Sequence, residues 1–264
     1  MKKILNLILL VSFPSVIFAE VTSAFKIMEN LKWRNDGQSR ASEIKLDIVD
    51  SNGNTRTRKI EYIELDKGKS RFTILYVDSP RDVRKTTILI KNDSSRKNHT
   101  KSDIWLYIPI LGKTKKLSSK NKSGSFVGSN FQYSDLEWII LEDFIYTLKG
   151  EEKVNGRSCY KVEAKALDKN VIEKTSYSKK ILWIDKKYDL IVKEDFFNRD
   201  GFLFKQLRVN KIKKIDGIRT IVKQTISNLI NSQKSIMSLS NVKYDINPSP
   251  SIFRKQSLGE RPRW

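Results

Sequence analysis

From residue 39 onward, apolar and polar residues alternate along most of the chain with a period of two. Residues 43–48, EIKLDI, show the pattern, because every second side chain is apolar and the intervening ones are charged. This period predicts β-strands that have one buried and one wet face. Similar segments, rich in Ile, Val, Tyr, Phe and Thr, lie near residues 55–66, 69–78, 83–92, 104–108, 144–150, 157–166, 177–184, 190–198, 202–213, 217–229 and 233–244.

Short polar turns separate these segments. Asn52-Gly53, Asn155-Gly156, Asp200-Gly201 and Asp216-Gly217 are the dipeptides that tight antiparallel hairpins prefer. Strand-helix-strand alternation is missing from the pattern, so a parallel doubly wound sheet is not expected. Eleven or more strands in meander order should curl into a barrel or half-barrel. The predicted fold class is therefore mainly β, with a few helices, in a single antiparallel domain.

Two stretches change to a helical period. Ala24, Ile27, Met28 and Leu31 fall on one face of a helix that Ser23 or Thr22 caps. Residues 134–137, SDLE, fit a capping box for a second helix over 135–142, which is apolar on nearly every side. Both helices are candidates for a lid across the sheet, through Ile27, Met28, Leu31, Leu136 and Ile140.

Six aromatic residues lie within residues 103–138, around a polar, basic middle. Alternation places Phe72, Ile74 and Tyr76 on one face of their strand, and Trp105 and Tyr107 on one face of theirs. Four more rings lie in or beside a glycine-bearing loop. The candidates for lining an apolar cavity are Phe72, Ile74, Tyr76, Trp105, Tyr107, Phe126, Phe131, Tyr133 and Trp138. Ordinary core packing is an equally good interpretation of each.

The N-terminus has the layout of a secretory signal peptide. Lys2 and Lys3 precede an apolar stretch, and the small residue Ala19 suits cleavage. The stretch is too short for a membrane span of about 20 apolar residues. We therefore predict a signal peptide at residues 1–19, export to the periplasm and a mature domain over 20–264, with an uncleaved anchor as the alternative.

The chain is strongly basic, with 51 Lys and Arg against 30 Asp and Glu and a net charge of +21. Most of these residues are lysines scattered along alternating segments, which is typical of a solvated face. An anionic membrane surface is the partner that such a charge would attract in the envelope. Nucleic acid is not expected as a partner, because the predicted leader directs the chain out of the cell.

Candidate catalytic chemistry is sparse. The only histidine is His99, in the polar stretch SSRKNHT, and the only cysteine is Cys159, within a predicted strand. One histidine and one cysteine far apart in sequence give no recognisable metal site or nucleophilic triad. We predict no enzyme activity, no metal and no cofactor.

Several stretches resemble one known family over nearly the whole mature chain. They are WLYIP at 105–109 with the following KTKKL, SFVGSNFQYSDL at 125–136 and GEEKVNGRSCYKVEA at 150–164, together with RFTILYVDSPRDVRKTTIL, YSKKILWID and KIDGIRT. In these the sequence resembles the outer-membrane lipoprotein-sorting family, the LolA-like periplasmic proteins.

The resemblance implies an incomplete β-barrel with a helical lid over an apolar cavity that shields the acyl chains of a lipid or lipoprotein. It implies no catalytic residues, and it suggests an RND-type inner-membrane permease as a partner. A lipid sensor or regulatory binding protein of the same fold is an alternative function. An integral outer-membrane β-barrel is a further and less favoured alternative. Its last strand should alternate apolar residues to the end, whereas the C-terminal residues GERPRW contain a proline and three charges.

Overall fold

A computed structural model describes residues 23–96 and 99–263 as one antiparallel sheet with two helices. The predicted signal peptide lies outside the described residues. The strands are β1 (Ser39–Val49), β2 (Thr55–Asp66), β3 (Ser70–Ser79), β4 (Thr87–Arg96), β5 (His99–Ile108), β6 (Lys113–Lys116), β7 (Phe144–Val154), β8 (Arg157–Ala166), β9 (Lys179–Asp185), β10 (Leu190–Phe197), β11 (Leu203–Ile215), β12 (Ile218–Asn228) and β13 (Lys234–Tyr244).

These strands form a meander that the pairing of β1 with β13 joins into one continuous sheet. Their order is β6-β5-β4-β3-β2-β1-β13-β12-β11-β10-β9-β8-β7. The described strands β6 and β7 are the two edges and do not pair with each other, so the sheet is not closed into a barrel. The predicted fold class, a mainly β incomplete barrel, is confirmed.

The hairpin turns follow from the residues at their tips. Asn155 and Gly156 have φ of 49° and 77°, and Asp216 and Gly217 have φ of 49° and 83°. Two consecutive positive φ angles are what a two-residue hairpin turn with the right twist requires, and Asn, Asp and Gly tolerate them best. The predicted hairpins at these two positions are confirmed.

The first predicted helix is present as α1 (Ala24–Trp33). The side chain of Ser23 accepts a hydrogen bond from the backbone N–H of Lys26 at 3.1 Å and so caps it. Ala24, Ile27, Met28 and Leu31 are buried, as their spacing predicts. A second helix, α2 (Lys169–Thr175), was not predicted, although Asp168 caps it by accepting from the N–H of Val171 at 2.9 Å.

The predicted helix over 135–142 is wrong. The chain forms two short 3₁₀ turns there, Tyr133–Leu136 and Leu141–Asp143, with extended residues between them. The capping pair is Gln132 with Asp135, not Ser134 with Glu137. An extended segment lets successive apolar side chains point in different directions, whereas a helix that is apolar all round would need cover on every side.

The basic connection after β5 is more structured than its composition indicates. Its polar, basic sequence is typical of a solvated loop, but it contains β6 and a 3₁₀ turn at Lys120–Ser123. Lys122 is buried, and its ammonium group donates to the carbonyl oxygen of Ser102 at 2.6 Å and to Glu137 at 2.5 Å. The hydrogen bond to Ser102 attaches the connection to β5, and the ion pair with Glu137 attaches it to the segment before β7.

The two faces of the sheet are covered by different parts of the chain. The inner face packs against α1 and against the aromatic loop, which we define as residues 125–140. The outer face of β3 to β5 is covered by the C-terminal segment, residues 246–263, whose Phe253 and Leu258 are buried there. Neither helix that the structure describes has the length and apolar character needed to cross a membrane.

Candidate functional site: a cavity on the inner face

A cavity of about 270 Å³ lies between the inner face, α1 and the aromatic loop. Its volume is near the lower end of the roughly 300–1,000 Å³ that is usual for small-molecule sites. Most of its exposed lining is apolar. Apolar side chains come from α1 (Met28), from the aromatic loop (Phe131, Trp138, Ile140) and from β9 to β12 (Leu182, Ile191, Phe196, Leu207, Ile226).

Alternation along the strands explains why these side chains meet. Ile191 and Ile184 are cross-strand neighbours on β10 and β9, and Leu207 lies opposite Ile226 on β11 and β12. Neighbouring side chains on paired strands point to the same face of a sheet. On β10 a register shift between Ile191 and Lys193 turns Ile191 to the same face as Glu194 and Phe196, so the wall depends on this irregularity as well as on the period of two.

Four carboxylates also line the cavity, and each is paired with a lysine. Asp135 lies 3.0 Å from the ammonium group of Lys205, and Glu194 lies 3.3 Å from that of Lys180. The other two pairs are Glu137 with Lys122 and Asp143 with Lys174. Because each negative charge has a positive partner, these four pairs add no net charge to the wall.

Lys205 stands out among these partners because it is only 2% exposed. Its ammonium group donates to Asp135 and to the carbonyl oxygen of Asn130 at 3.1 Å, and it also contacts the hydroxyl of Tyr177. It lies 4.7 Å from the ring centres of both Tyr177 and Phe196, close enough for cation–π attraction. This cluster attaches the aromatic loop to β11.

The environment of this cluster shifts several pKa values. Desolvation lowers the pKa of Lys205, and the charge of Asp135 opposes that shift. Burial raises the pKa of the Tyr177 hydroxyl, and Asp135 raises it further. Burial also raises the pKa of Glu194, against the pull of Lys180. Burial is the main cause of each of these pKa shifts.

Trp138 forms the junction between the aromatic loop and α1. Its ring makes an edge contact with Trp33 at 4.8 Å between centroids. The guanidinium of Arg71 and the ammonium of Lys32 lie 4.6 and 4.7 Å from its centre. Arg71 is itself held by Asp36 through two bonds of 2.9 Å. The two parts that cover the cavity are thus joined through one ring.

The structure brings only some of the predicted candidates to this cavity. Phe131 and Trp138 line it. Phe126 and Tyr133, from the same loop, pack into the inner-face core with their ring centroids 6.2 Å apart. Among the lid candidates, Met28 and Ile140 line the cavity. Ile27 and Leu31 hold α1 against the sheet, and Leu136 packs against the inner core.

The other five candidates lie on the outer face, away from the cavity. They are Phe72, Ile74, Tyr76, Trp105 and Tyr107. The C-terminal segment covers several of them: Phe253 lies 6.0 Å from Phe72, and the Lys255 ammonium lies 3.5 Å over Trp105. The rings of β5 and those of the aromatic loop therefore do not approach one cavity from two sides, because β5 directs its rings outward.

The sequence analysis did not identify several residues of the site, although the sequence pattern around one of them indicates its burial. Lys205 alternates with Leu207 and Val209 on one face of β11, where a lysine has no obvious reason to be. A basic residue in an apolar register indicates a buried partner. Ile191, Phe196 and Leu182 looked like any other core residues of the sheet.

The chain matches known proteins over most of its length. The model of an uncharacterized protein family matches residues 68–260. No curated protein is similar enough in sequence to count as a match.

Among the described residues, no group of three His, Cys, Asp or Glu side chains comes together in a way that would hold a metal ion.

Solved structures with a similar fold are numerous, and three cover almost the same span. A DUF1329 family protein from Desulfovibrio piger superposes with a TM-score of 0.80 at 25% identity, over 89% of this chain and 97% of that one. A putative outer membrane lipoprotein-sorting protein domain from Vibrio parahaemolyticus gives 0.80 at 27% identity, over 89% and 98%. A LolA superfamily protein from Nitrosomonas europaea gives 0.68 at 20% identity, over 90% and 100%, which shows the fold alone.

Proposed function

The chain belongs to the outer-membrane lipoprotein-sorting family of LolA-like proteins, and from this premise we propose that it carries acyl chains of a lipid or lipoprotein in its inner-face cavity. The observation that carries the proposal is the mainly apolar cavity between the inner face and the two parts that cover it, α1 and the aromatic loop. The carrier is non-enzymatic in this account: no side chain has a catalytic role, and no cofactor or metal is required.

The energetic demand on such a carrier is large. Exposing an acyl chain of roughly 15 methylenes to water costs about 12 kcal/mol, at about 0.8 kcal/mol for each methylene. A shallow patch would not offset that cost, whereas an enclosed cavity does. The four closed ion pairs support the proposal too, since they leave the wall without unpaired charge for an acyl chain to meet.

The small volume of the cavity bears on how cargo would enter it. Because about 270 Å³ is below the usual range for ligand sites, loading of an acyl chain requires α1 or the aromatic loop to move outward. Of the candidates for acyl contact, the proposal retains Phe131, Trp138, Met28 and Ile140. Phe126 and Tyr133 anchor the loop in the inner-face core, and the five outer-face residues lie on the face that the C-terminal segment covers.

The predicted leader at residues 1–19 fits this role, because a carrier between membranes works in the periplasm. We propose cleavage after residue 19, one domain over 20–264 and transfer of cargo across the envelope. An RND-type permease, which the family resemblance implies, is the proposed partner at the inner membrane.

A pair of matched isoleucines tests where the acyl chain binds. Ile191 on β10 lines the cavity, and Ile181 on β9 packs on the outer face; both are half-buried. We expect Ile191→Asp to weaken binding of a fluorescent fatty acid by about tenfold or more, because the bound chain would lie against a desolvated carboxylate. Binding is measured by fluorescence titration of the purified protein.

The control Ile181→Asp places the same carboxylate on the opposite face. It should change the affinity for the probe by less than about twofold, although it should lower the free energy of unfolding at least as much as Ile191→Asp does, because Ile181 lies opposite Glu163 and Asp195 on the paired strands. Equal loss of binding in both variants, or no loss in either, would contradict an acyl site on the inner face.

A further inference from the structure

Two neighbouring hairpins expose large apolar side chains at their tips. Phe202 is 70% exposed and Ile230 is 73% exposed, and Leu203 and Leu229 beside them are 38% and 47% exposed. None of the four belongs to the hydrophobic clusters of the described residues. We call these residues the apolar tips.

The apolar tips form one patch because their strands are paired. Lys205 lies opposite Asn228 at the ends of β11 and β12, and the N–H of Leu229 donates to the carbonyl oxygen of Phe204 at 2.8 Å. The turns otherwise hold polar residues such as Asn198 and Asn231. Contiguous exposed apolar side chains on a polar, strongly charged protein mark an interaction surface.

Hydrogen bonds connect one hairpin to the aromatic loop and the other to the segment that follows α2. Asn130, next to Phe131 in the aromatic loop, donates from its side chain to the carbonyl oxygen of Gln233 at 2.8 Å. Its backbone N–H donates to Ser235 at 2.9 Å. On the other hairpin, Ser178 donates to the carbonyl oxygen of Asn198 at 2.5 Å, just after α2, which contributes Lys174 and Thr175 to the cavity lining. The two hairpins are therefore hydrogen-bonded to the aromatic loop and to the segment that follows α2.

We infer that the apolar tips dock the protein on a membrane surface that contains anionic lipid. This inference rests on the proposed function, because it names the surface at which acyl chains enter or leave the carrier. Exposed apolar side chains insert among the headgroups, and positive charge adds attraction to anionic lipids. Of the exposed charged residues on the turns of these two hairpins, Arg199 and Lys234 are basic and Asp200 is acidic, and the whole chain has a net charge of +21.

Vesicle flotation tests the inference with the purified protein. The vesicles are phosphatidylethanolamine with about 25% phosphatidylglycerol, and a matched set contains phosphatidylcholine alone. We expect the unaltered protein to float with the anionic vesicles, and less so as salt rises from about 0.05 M to about 0.5 M. The double variant Phe202→Ser/Ile230→Ser should lower the bound fraction by about tenfold, because it removes the two most exposed apolar groups.

The control is Ile110→Ser. Ile110 is 93% exposed on the turn between β5 and β6, and four strands, β1 to β4, separate β5 from β13 in the sheet order. It should bind vesicles within about twofold of the unaltered protein, since it lies outside the proposed surface. Since all three substituted side chains are exposed, none of the variants should lose the fold, which circular dichroism verifies.

The outcomes separate this inference from the proposed function. Unchanged flotation of the double variant, an equal loss with Ile110→Ser, or no flotation of the unaltered protein would overturn docking through the tips. Equal flotation with phosphatidylcholine alone would overturn the role of anionic lipid. The double variant should still take up a fluorescent fatty acid from solution without vesicles. If neither the double variant nor the unaltered protein takes up the fatty acid, while flotation is as expected, the carrier role is refuted and the docking inference stands.

Discussion

At the scale of single residues, the most informative side chain is a lysine inside the sheet. Lys205 is buried with Asp135, Tyr177 and the carbonyl oxygen of Asn130, all within hydrogen-bonding distance. Buried ion pairs rarely add net stability compared with well-packed apolar residues, but removing one partner is costly. A role in placing the aromatic loop over the cavity accounts for a charge at this position.

Replacing Lys205 should therefore destabilise the protein markedly. We expect Lys205→Met to lower the free energy of unfolding by about 3–5 kcal/mol, because Asp135 would stay buried without its cation. Urea denaturation measures the change. The matched control is Lys26→Met, which removes an exposed ion pair with Glu29 and should cost less than about 1 kcal/mol. Similar losses in the two variants would show that the buried pair does not fasten the loop.

The residues of β5 show what could and what could not be predicted from the sequence. The period of two correctly placed Trp105 and Tyr107 on one face of β5 and Ile104 and Leu106 on the other. It could not say which face would meet the cavity, because both faces of that strand are apolar and both are covered. Only the path of the C-terminal segment, more than a hundred residues later, decides that Trp105 and Tyr107 lie outward.

At the scale of elements, strands and turns were more predictable than the cover of the cavity. Ser23 and the spacing of Ile27, Met28 and Leu31 determine α1 locally, and the same holds for the hairpins at Asn155-Gly156 and Asp216-Gly217. The segment over 135–142 is different, because its conformation depends on distant partners. Lys205 and Lys122 hold Asp135 and Glu137, and these contacts favour two 3₁₀ turns with an extended link over one continuous helix.

The contact between α1 and the aromatic loop should control how fast the cavity opens. Trp33 is 50% exposed and makes an edge contact with Trp138. Trp33→Ala removes that contact, which is worth about 0.5–1.5 kcal/mol, without emptying the core. We expect association and dissociation of a fluorescent fatty acid, followed by stopped-flow fluorescence, to become several-fold faster.

Trp105→Ala is the control for this prediction, because Trp105 is an aromatic residue of the outer face. It should leave both rates within about twofold of those of the unaltered protein. Rates that are unchanged in Trp33→Ala would mean that the contact between the two rings does not limit opening.

At the scale of the whole molecule, different segments of the chain cover the two faces of one open sheet. Helix α1 and the aromatic loop cover the inner face and enclose the cavity, while residues 246–263 cover the outer face of β3 to β5. The fold class and the meander were predictable, because alternation and turn chemistry are local properties. The location of the site was not, since it depends on which long-range segment covers which face.

The most direct test of the central claim is to map where an acyl chain binds. A fatty acid with a photoreactive diazirine near its methyl end is bound to the purified protein, activated with light and located by mass spectrometry of peptides. We predict crosslinks to the cavity wall, at Phe131, Trp138, Ile140 or Ile191. Crosslinks concentrated on the outer face, at Phe72, Trp105 or Tyr107 beneath the C-terminal segment, would contradict it.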